Sequence, residues 1–148
     1  MDEDEYQQTR KQLNQCPCPF EKAILSSRCG CEKFQRLNIA EREAAACVSV
    51  SAQQQCLELL EQLYQNARFA LQQSDLNSPL AHAQMMKLQC GGLQGLQSIL
   101  KQRGNINNIN GLVTSLFTNF DDFKQIPYQE IVQFISHYQV RKKRSKKL

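Results

Sequence analysis

The sequence predicts an all-α protein, a small helical bundle with an irregular, cysteine-rich segment near its N-terminus. Beyond Cys47, apolar residues recur at helical spacing, no stretch alternates apolar and polar residues as a strand would, and serine and proline mark helix starts. The chain is long enough to bury a core of its own. We expect one domain over residues 1–140, which includes the cysteine-rich segment 16–56, and a separate tail over residues 141–148.

The N-terminal third is predicted to contain short helices separated by breaks. A first helix is expected over residues 3–14, because acidic residues precede basic ones in the order that suits a helix dipole. Prolines then interrupt it. Two further short helices are expected, one over residues 20–25 and one that includes Ile39 and residues 44–46 and ends at Cys47.

Four longer helices are predicted after Cys47. Ser51 and Ser78 supply N-caps, and the proline after Ser78 suits the first position of a helix. The expected helices span residues 52–73, 79–103 and 109–120, and a last helix opens at Pro127. Because the loops between them are short, these helices should pack as antiparallel neighbours.

Four cysteines form two Cys-x-Cys pairs, Cys16 with Cys18 and Cys29 with Cys31. A residue before proline is pushed out of the helical region, so Cys16 and Cys18 should both be extended. Residues two apart in an extended chain point to the same side, so both thiols should face one way. Gly30 would allow a close backbone approach in the second pair. The two pairs are therefore predicted to form a four-thiolate metal cage.

Three more cysteines follow, and all three are candidate ligands as well: Cys47, Cys56 and Cys90. Cys56 and Cys90 lie on the inward stripes of predicted helices, where a free cysteine can also act as a small hydrophobic residue. Gly91 and Gly92 follow Cys90, although each glycine costs a helix up to about 1 kcal/mol relative to alanine. Either two helices approach closely there, or the glycines bind a cofactor beside Cys90. We favour ligation by Cys90.

The donor set indicates the class of metal. Cysteine thiolates hold iron–sulfur clusters, and cysteine followed by proline occurs in some cluster-binding sequences. We therefore expect an iron–sulfur protein that serves electron transfer, sensing or cluster assembly. A zinc-stabilised binding module is the alternative, although zinc knuckles space their cysteines more widely. A thiol-redox or copper-handling protein is a second alternative. Motifs of catalysis are missing from the sequence, so we do not expect an enzyme.

The positive charge of the chain belongs to its tail. Six basic side chains lie in residues 141–148. The tail is predicted either to be a solvated terminus or to contact nucleic acid, an anionic membrane surface or an acidic protein partner. The candidate contact residues are Arg141, Lys142, Lys143, Arg144, Lys146 and Lys147. The acidic first residues do not resemble a secretory signal, no apolar run is long enough for a membrane span, and free cysteines suit a reducing compartment, so we expect a cytoplasmic protein.

Overall fold

The computed structural model describes residues 2–73 and 78–141. Helices dominate these residues, and they are α1 (Glu3–Leu13), α2 (Glu21–Leu25), α3 (Val50–Ala67), α4 (His82–Met86), α5 (Gly92–Ile99), α6 (Ile109–Asn119) and α7 (Tyr128–His137). A π-helical turn, Lys87–Gly91, joins α4 to α5 without a break, and a 3₁₀ turn, Phe123–Gln125, precedes α7. Two antiparallel strands, β1 (Phe34–Ile39) and β2 (Arg42–Cys47), lie between α2 and α3.

The prediction of an all-α fold is wrong, because the expected helix that ends at Cys47 is a β-hairpin. Phe34 pairs with Cys47 and Ile39 pairs with Arg42. The two residues between the strands, Ala40 and Glu41, both have positive φ, as a tight hairpin turn requires. The sequence hides this turn, because neither residue is the glycine or asparagine that usually occupies such a position.

Tertiary contacts also override the helix preference of the three alanines in β2. Ala44 and Ala45 are fully buried, and an extended segment around Pro17 pairs with the free edge of β2. Cys18 N–H donates to Ala45 O at 3.0 Å, and Cys47 N–H donates to Cys16 O at 2.8 Å. Small side chains allow this close layering, and their helix propensity is too weak to oppose it.

The helices after the hairpin match the predicted ones in type and differ at their ends. The helix expected over residues 52–73 ends at Ala67, and the one expected over residues 79–103 spans residues 82–99. The last two predicted helices are confirmed as α6 and α7. Their apolar faces meet in one core, whose fully buried members include Phe20, Leu59, Leu93, Leu96, Val113, Leu116, Ile131 and Ile135. Among the described residues, no helix has the length and apolar character to cross a membrane.

Glycines set the distance between the central helices. A Cβ added to Gly91 would lie 2.7 Å from the Ile135 Cα and 2.7 Å from the Phe134 carbonyl oxygen of α7. A Cβ on Gly92 would lie 2.9 Å from Cδ1 of Leu63 on α3. The contacts of both glycines are therefore those of close helix packing, the first of the two explanations that the sequence left open.

Replacing Gly91 with alanine should destabilise the fold, because the new methyl group meets backbone atoms of α7 that cannot rotate away. We expect the free energy of unfolding to fall by about 1–3 kcal/mol, despite the better helix propensity of alanine. Gly92→Ala is the matched control, since its methyl group meets only the flexible Leu63 side chain. Urea unfolding measures both variants, and a Gly91→Ala protein as stable as the parent would contradict the packing argument.

Candidate metal centre

The extended segment around Pro17 brings the first Cys-x-Cys pair to the end of β2. Its backbone pairing with β2 places Cys16 and Cys18 beside Cys47. Gln53 of α3 donates from Nε2 to the Pro17 carbonyl oxygen at 2.9 Å and ties this segment to the helix. Two residues apart on an extended segment, both cysteines lie on the side that faces Cys47, and their pKa values both respond to its thiol.

The second Cys-x-Cys pair is held by its central glycine. Gly30 N–H donates to Ile106 O at 2.9 Å, and the Gly30 carbonyl oxygen accepts from Ile109 N–H at 2.8 Å. A Cβ on Gly30 would lie 2.9 Å from the Asn107 carbonyl oxygen, so no larger residue fits without movement. With both backbone groups of Gly30 engaged, Cys29 and Cys31 line different cavities.

Four thiols from four parts of the chain line one small apolar cleft. Cys18 precedes α2, Cys31 follows it, Cys47 ends β2 and Cys56 lies on α3. We call this the four-thiol cleft, and its free volume is about 10 Å³. The other residues that line it are Pro19, Phe20, Lys33, Phe34, Ala46, Ala52, Gln53, Ile109 and Asn110. Sulfur is therefore the dominant donor atom of this cleft.

The thiols of the cleft are close enough to influence each other's protonation. Burial, with smaller contributions from the neighbouring Cys18, Cys31 and Cys47, raises the pKa of Cys56 to about 12. Burial also raises the pKa of Cys18 to about 12, with smaller contributions from Cys31 and Cys47. A low-dielectric site disfavours several thiolates together, unless a cation compensates their charge. Burial thus favours the protonated forms of Cys18 and Cys56, and a soft metal would have to displace these two protons.

Cys16 lies next to the four-thiol cleft without lining it. Burial raises its pKa, and the hydrogen bond and charge interaction with Cys47 add to this shift. The Cys47 thiol in turn donates to the Ser49 carbonyl oxygen at 3.2 Å. Cys16 is therefore a fifth thiol within reach of one cleft cysteine.

Cys29 and Cys90 form a second group, which we call the Cys29–Cys90 pair. The pKa of each thiol responds to the other: their interaction lowers the pKa of Cys90 and raises that of Cys29. Tyr138 and Arg28 also lower the pKa of Cys90. Arg28 and Tyr138 were not among the residues predicted for a site. Arg28 directly precedes Cys29, which was the available signal, whereas Tyr138 reaches Cys90 only through the packing of α7.

The structure thus divides the seven candidate ligands between two places. The four-thiol cleft holds one cysteine of each Cys-x-Cys pair together with Cys47 and Cys56, and Cys16 lies next to it. Cys29 and Cys90 do not line this cleft. In the described part of the chain, no three His, Cys, Asp or Glu side chains are already positioned to hold a single metal ion. Of the predicted tail contacts, Arg141 is exposed. Lys142, Lys143, Arg144, Lys146 and Lys147 lie outside the described residues.

Comparisons with known proteins give no family for this chain. No protein-family model, curated protein or solved structure matches it. A functional proposal therefore depends on the chemistry of the four-thiol cleft.

Proposed function

We propose that this protein binds an iron–sulfur cluster through Cys18, Cys31, Cys47 and Cys56 and acts in electron transfer, sensing or cluster assembly. The observation that carries the proposal is the convergence of these four thiols, from four separate parts of the chain, on one apolar cleft. Cysteine thiolates are the usual ligands of such clusters, and four of them complete the common donor set.

The composition of the cleft supports a sulfur-liganded group. Its lining contains no histidine, aspartate or glutamate, so hard cations such as Mg²⁺ and Ca²⁺, which prefer oxygen ligands, do not fit its chemistry. Lys33 is the charged residue of the lining. Its ammonium group would offset part of the negative charge that four thiolates bring to a metal centre.

The spacing of the cleft cysteines favours a cluster over a zinc knuckle. No two of Cys18, Cys31, Cys47 and Cys56 lie within four residues of each other, whereas structural zinc sites commonly use ligand pairs two to four residues apart. When bound, a cluster would supply one-electron chemistry. The aromatic rings of Phe20 and Phe34 would shield it from solvent and, together with hydrogen bonds to sulfur, influence its potential.

A zinc-stabilised binding module is the second candidate. The free volume of the cleft, about 10 Å³, is close to the space of one small probe sphere, and this size favours a single ion. In that case the metal would fix the Pro17 segment, β2 and α3 together, and binding would be the task of other surfaces. The basic tail, which would contact nucleic acid or an acidic protein, lies outside the described residues.

Serine substitutions within each Cys-x-Cys pair give matched tests of the ligand set. Cys31→Ser and Cys18→Ser should lose bound metal, because three thiolates cannot close the site. Their controls, Cys29→Ser and Cys16→Ser, change the neighbouring cysteine and should retain it. The measurements are iron, zinc and acid-labile sulfide contents of anaerobically purified protein, together with its visible absorption spectrum.

The same measurements separate the two candidates. A coloured protein with iron and sulfide supports the cluster, and a colourless protein with one zinc ion per chain supports the binding module. Retention of metal in both Cys18→Ser and Cys31→Ser, with loss in Cys29→Ser, would contradict the assignment of the four-thiol cleft.

The metal-free protein should lose stability as the pH rises. The pKa values of Cys18 and Cys56 are raised to about 12, against about 8.5 in an unfolded chain. Above about pH 8.5, the unfolded chain releases protons that the folded state keeps. The stabilisation of the folded state by these two protonated thiols is therefore complete below about pH 8.5 and declines above it. Thermal unfolding of metal-free protein in reducing buffer should show a falling Tm in this window.

The double variant Cys18→Ser/Cys56→Ser is the control for this pH dependence. Serine does not titrate in this range, so the Tm of the variant should fall less steeply than that of the parent, while lysine and tyrosine titration affects both equally. Metal binding requires the thiolates, so metal affinity should instead increase with pH. Equal slopes of Tm against pH in parent and variant would contradict the raised pKa values.

A further inference from the structure

We propose that the surface formed around residues 94–108 binds single-stranded nucleic acid. Three open grooves, with volumes of about 570, 320 and 480 Å³, border one another there. Gln97 and Gln102 line both the first and the second groove, and Asn105 lines both the second and the third. We call the combined lining of the three grooves the amide face. None of its residues lines the four-thiol cleft, so the proposal does not depend on the proposed metal site.

The backbone beneath the amide face is held by hydrogen bonds of its own. Gln97 donates from Nε2 to the Gly104 carbonyl oxygen at 3.1 Å, across a turn in which Gly104 has a φ of 94°. The Ile106 carbonyl oxygen accepts from Gly30 N–H at 2.9 Å. The face is therefore formed before a ligand arrives, and this preorganisation lowers the entropic cost of binding.

Amide side chains make up most of the polar lining. Six of them belong to the segment 94–108, and they are Gln94, Gln97, Gln102, Asn105, Asn107 and Asn108. Four of the six are exposed, and their side chains make no hydrogen bond to another described residue: Gln94, Gln102, Asn105 and Asn107. Each amide carries both a donor and an acceptor, which is the pattern that the edge of an unpaired base can match.

The charge of the amide face is positive. Lys101 and Arg103 are exposed at the first groove, and Arg28 lines the third. Among the described residues, no aspartate or glutamate lines any of the three grooves, and residues 76–120 contain neither. The Glu32 carboxylate lies beside the face, where it accepts a hydrogen bond from an asparagine side chain. Cations without carboxylates in the same lining attract a phosphate backbone.

An exposed aromatic ring favours nucleic acid over an acidic peptide. Phe134 of α7 is 38% exposed and lines the first groove, and any base can stack on such a ring. In the third groove, the Arg28 guanidinium lies over the Tyr138 ring, 5.6 Å from the centroid, and guanidinium planes also stack on bases. A duplex suits the face less well, because its bases are already paired and stacked.

Fluorescence anisotropy tests the proposal on the purified 148-residue protein with its metal in place. The probes are labelled single strands of RNA and DNA of about 16 nucleotides, the upper end of the usual site size. They should bind more tightly than a duplex of the same sequence and more tightly than an oligo-aspartate peptide. Binding of either strand supports the proposal, and the tighter of the two identifies the nucleic acid.

Variants of the amide face locate the binding. Lys101→Gln/Arg103→Gln should weaken binding and lower the log–log slope against salt by about 1.4, because two phosphate contacts are lost. Phe134→Leu keeps an apolar side chain without the ring and should weaken binding about 5- to 150-fold. The matched control, Lys11→Gln/Lys124→Gln, removes the same charge from exposed lysines outside the three grooves and should bind as the parent does.

Four results would overturn the proposal. The first is the absence of binding, and the second is equal binding by the parent and Lys101→Gln/Arg103→Gln, which would leave contact to the basic tail alone. The third is equal weakening in the control variant, since net charge would then be responsible. The fourth is a duplex or an acidic peptide that binds as tightly as the single strands. Metal content should be the same in every variant, so a failure here leaves the test of the four-thiol cleft unaffected.

Discussion

The pairing of the Pro17 segment with β2 is the constraint on which the cysteine arrangement depends. One hydrogen bond joins Cys18 to Ala45 and another joins Cys16 to Cys47. Together they add a third extended segment to the two-stranded hairpin, and this wider surface can pack against α3. Glu21 completes this edge, because its carboxylate accepts from Ala45 N–H at 3.2 Å and also pairs with an arginine of α1. Buried backbone groups need such partners, so the irregular segment is held as firmly as a regular strand.

A single glycine separates the surroundings of the two cysteines in the second Cys-x-Cys pair. Gly30 is clamped between Ile106 and Ile109 by its own amide and carbonyl groups. Cys31 consequently lines the four-thiol cleft, whereas Cys29 lines a separate open groove next to Arg28. The sulfur-rich lining of the cleft is the basis of the proposed metal site.

The π-helical turn serves both packing and the placement of Cys90. Gly91 brings the turn into contact with the backbone of α7, and Tyr138, at the end of α7, packs against the core cluster that contains Cys90. Such turns disturb the regular helix and occur often at functional sites. The cost of several glycines in a helix is offset here by close contact between helices, which larger residues would prevent.

The sequence by itself determined the longer helices and their inward faces, because periodicity, caps and prolines are local signals. It did not determine the hairpin, since Ala40, Glu41 and the alanines of β2 carry no local strand signal. The alanines become a strand through pairing with β1 and with the Pro17 segment. The division of the cysteines was also decided by tertiary structure. Equal spacing made the two Cys-x-Cys pairs look alike, but Cys29 and Cys31 are separated by hydrogen bonds to residues more than seventy positions away. Local spacing contains no information about such contacts, because they depend on which distant elements pack together.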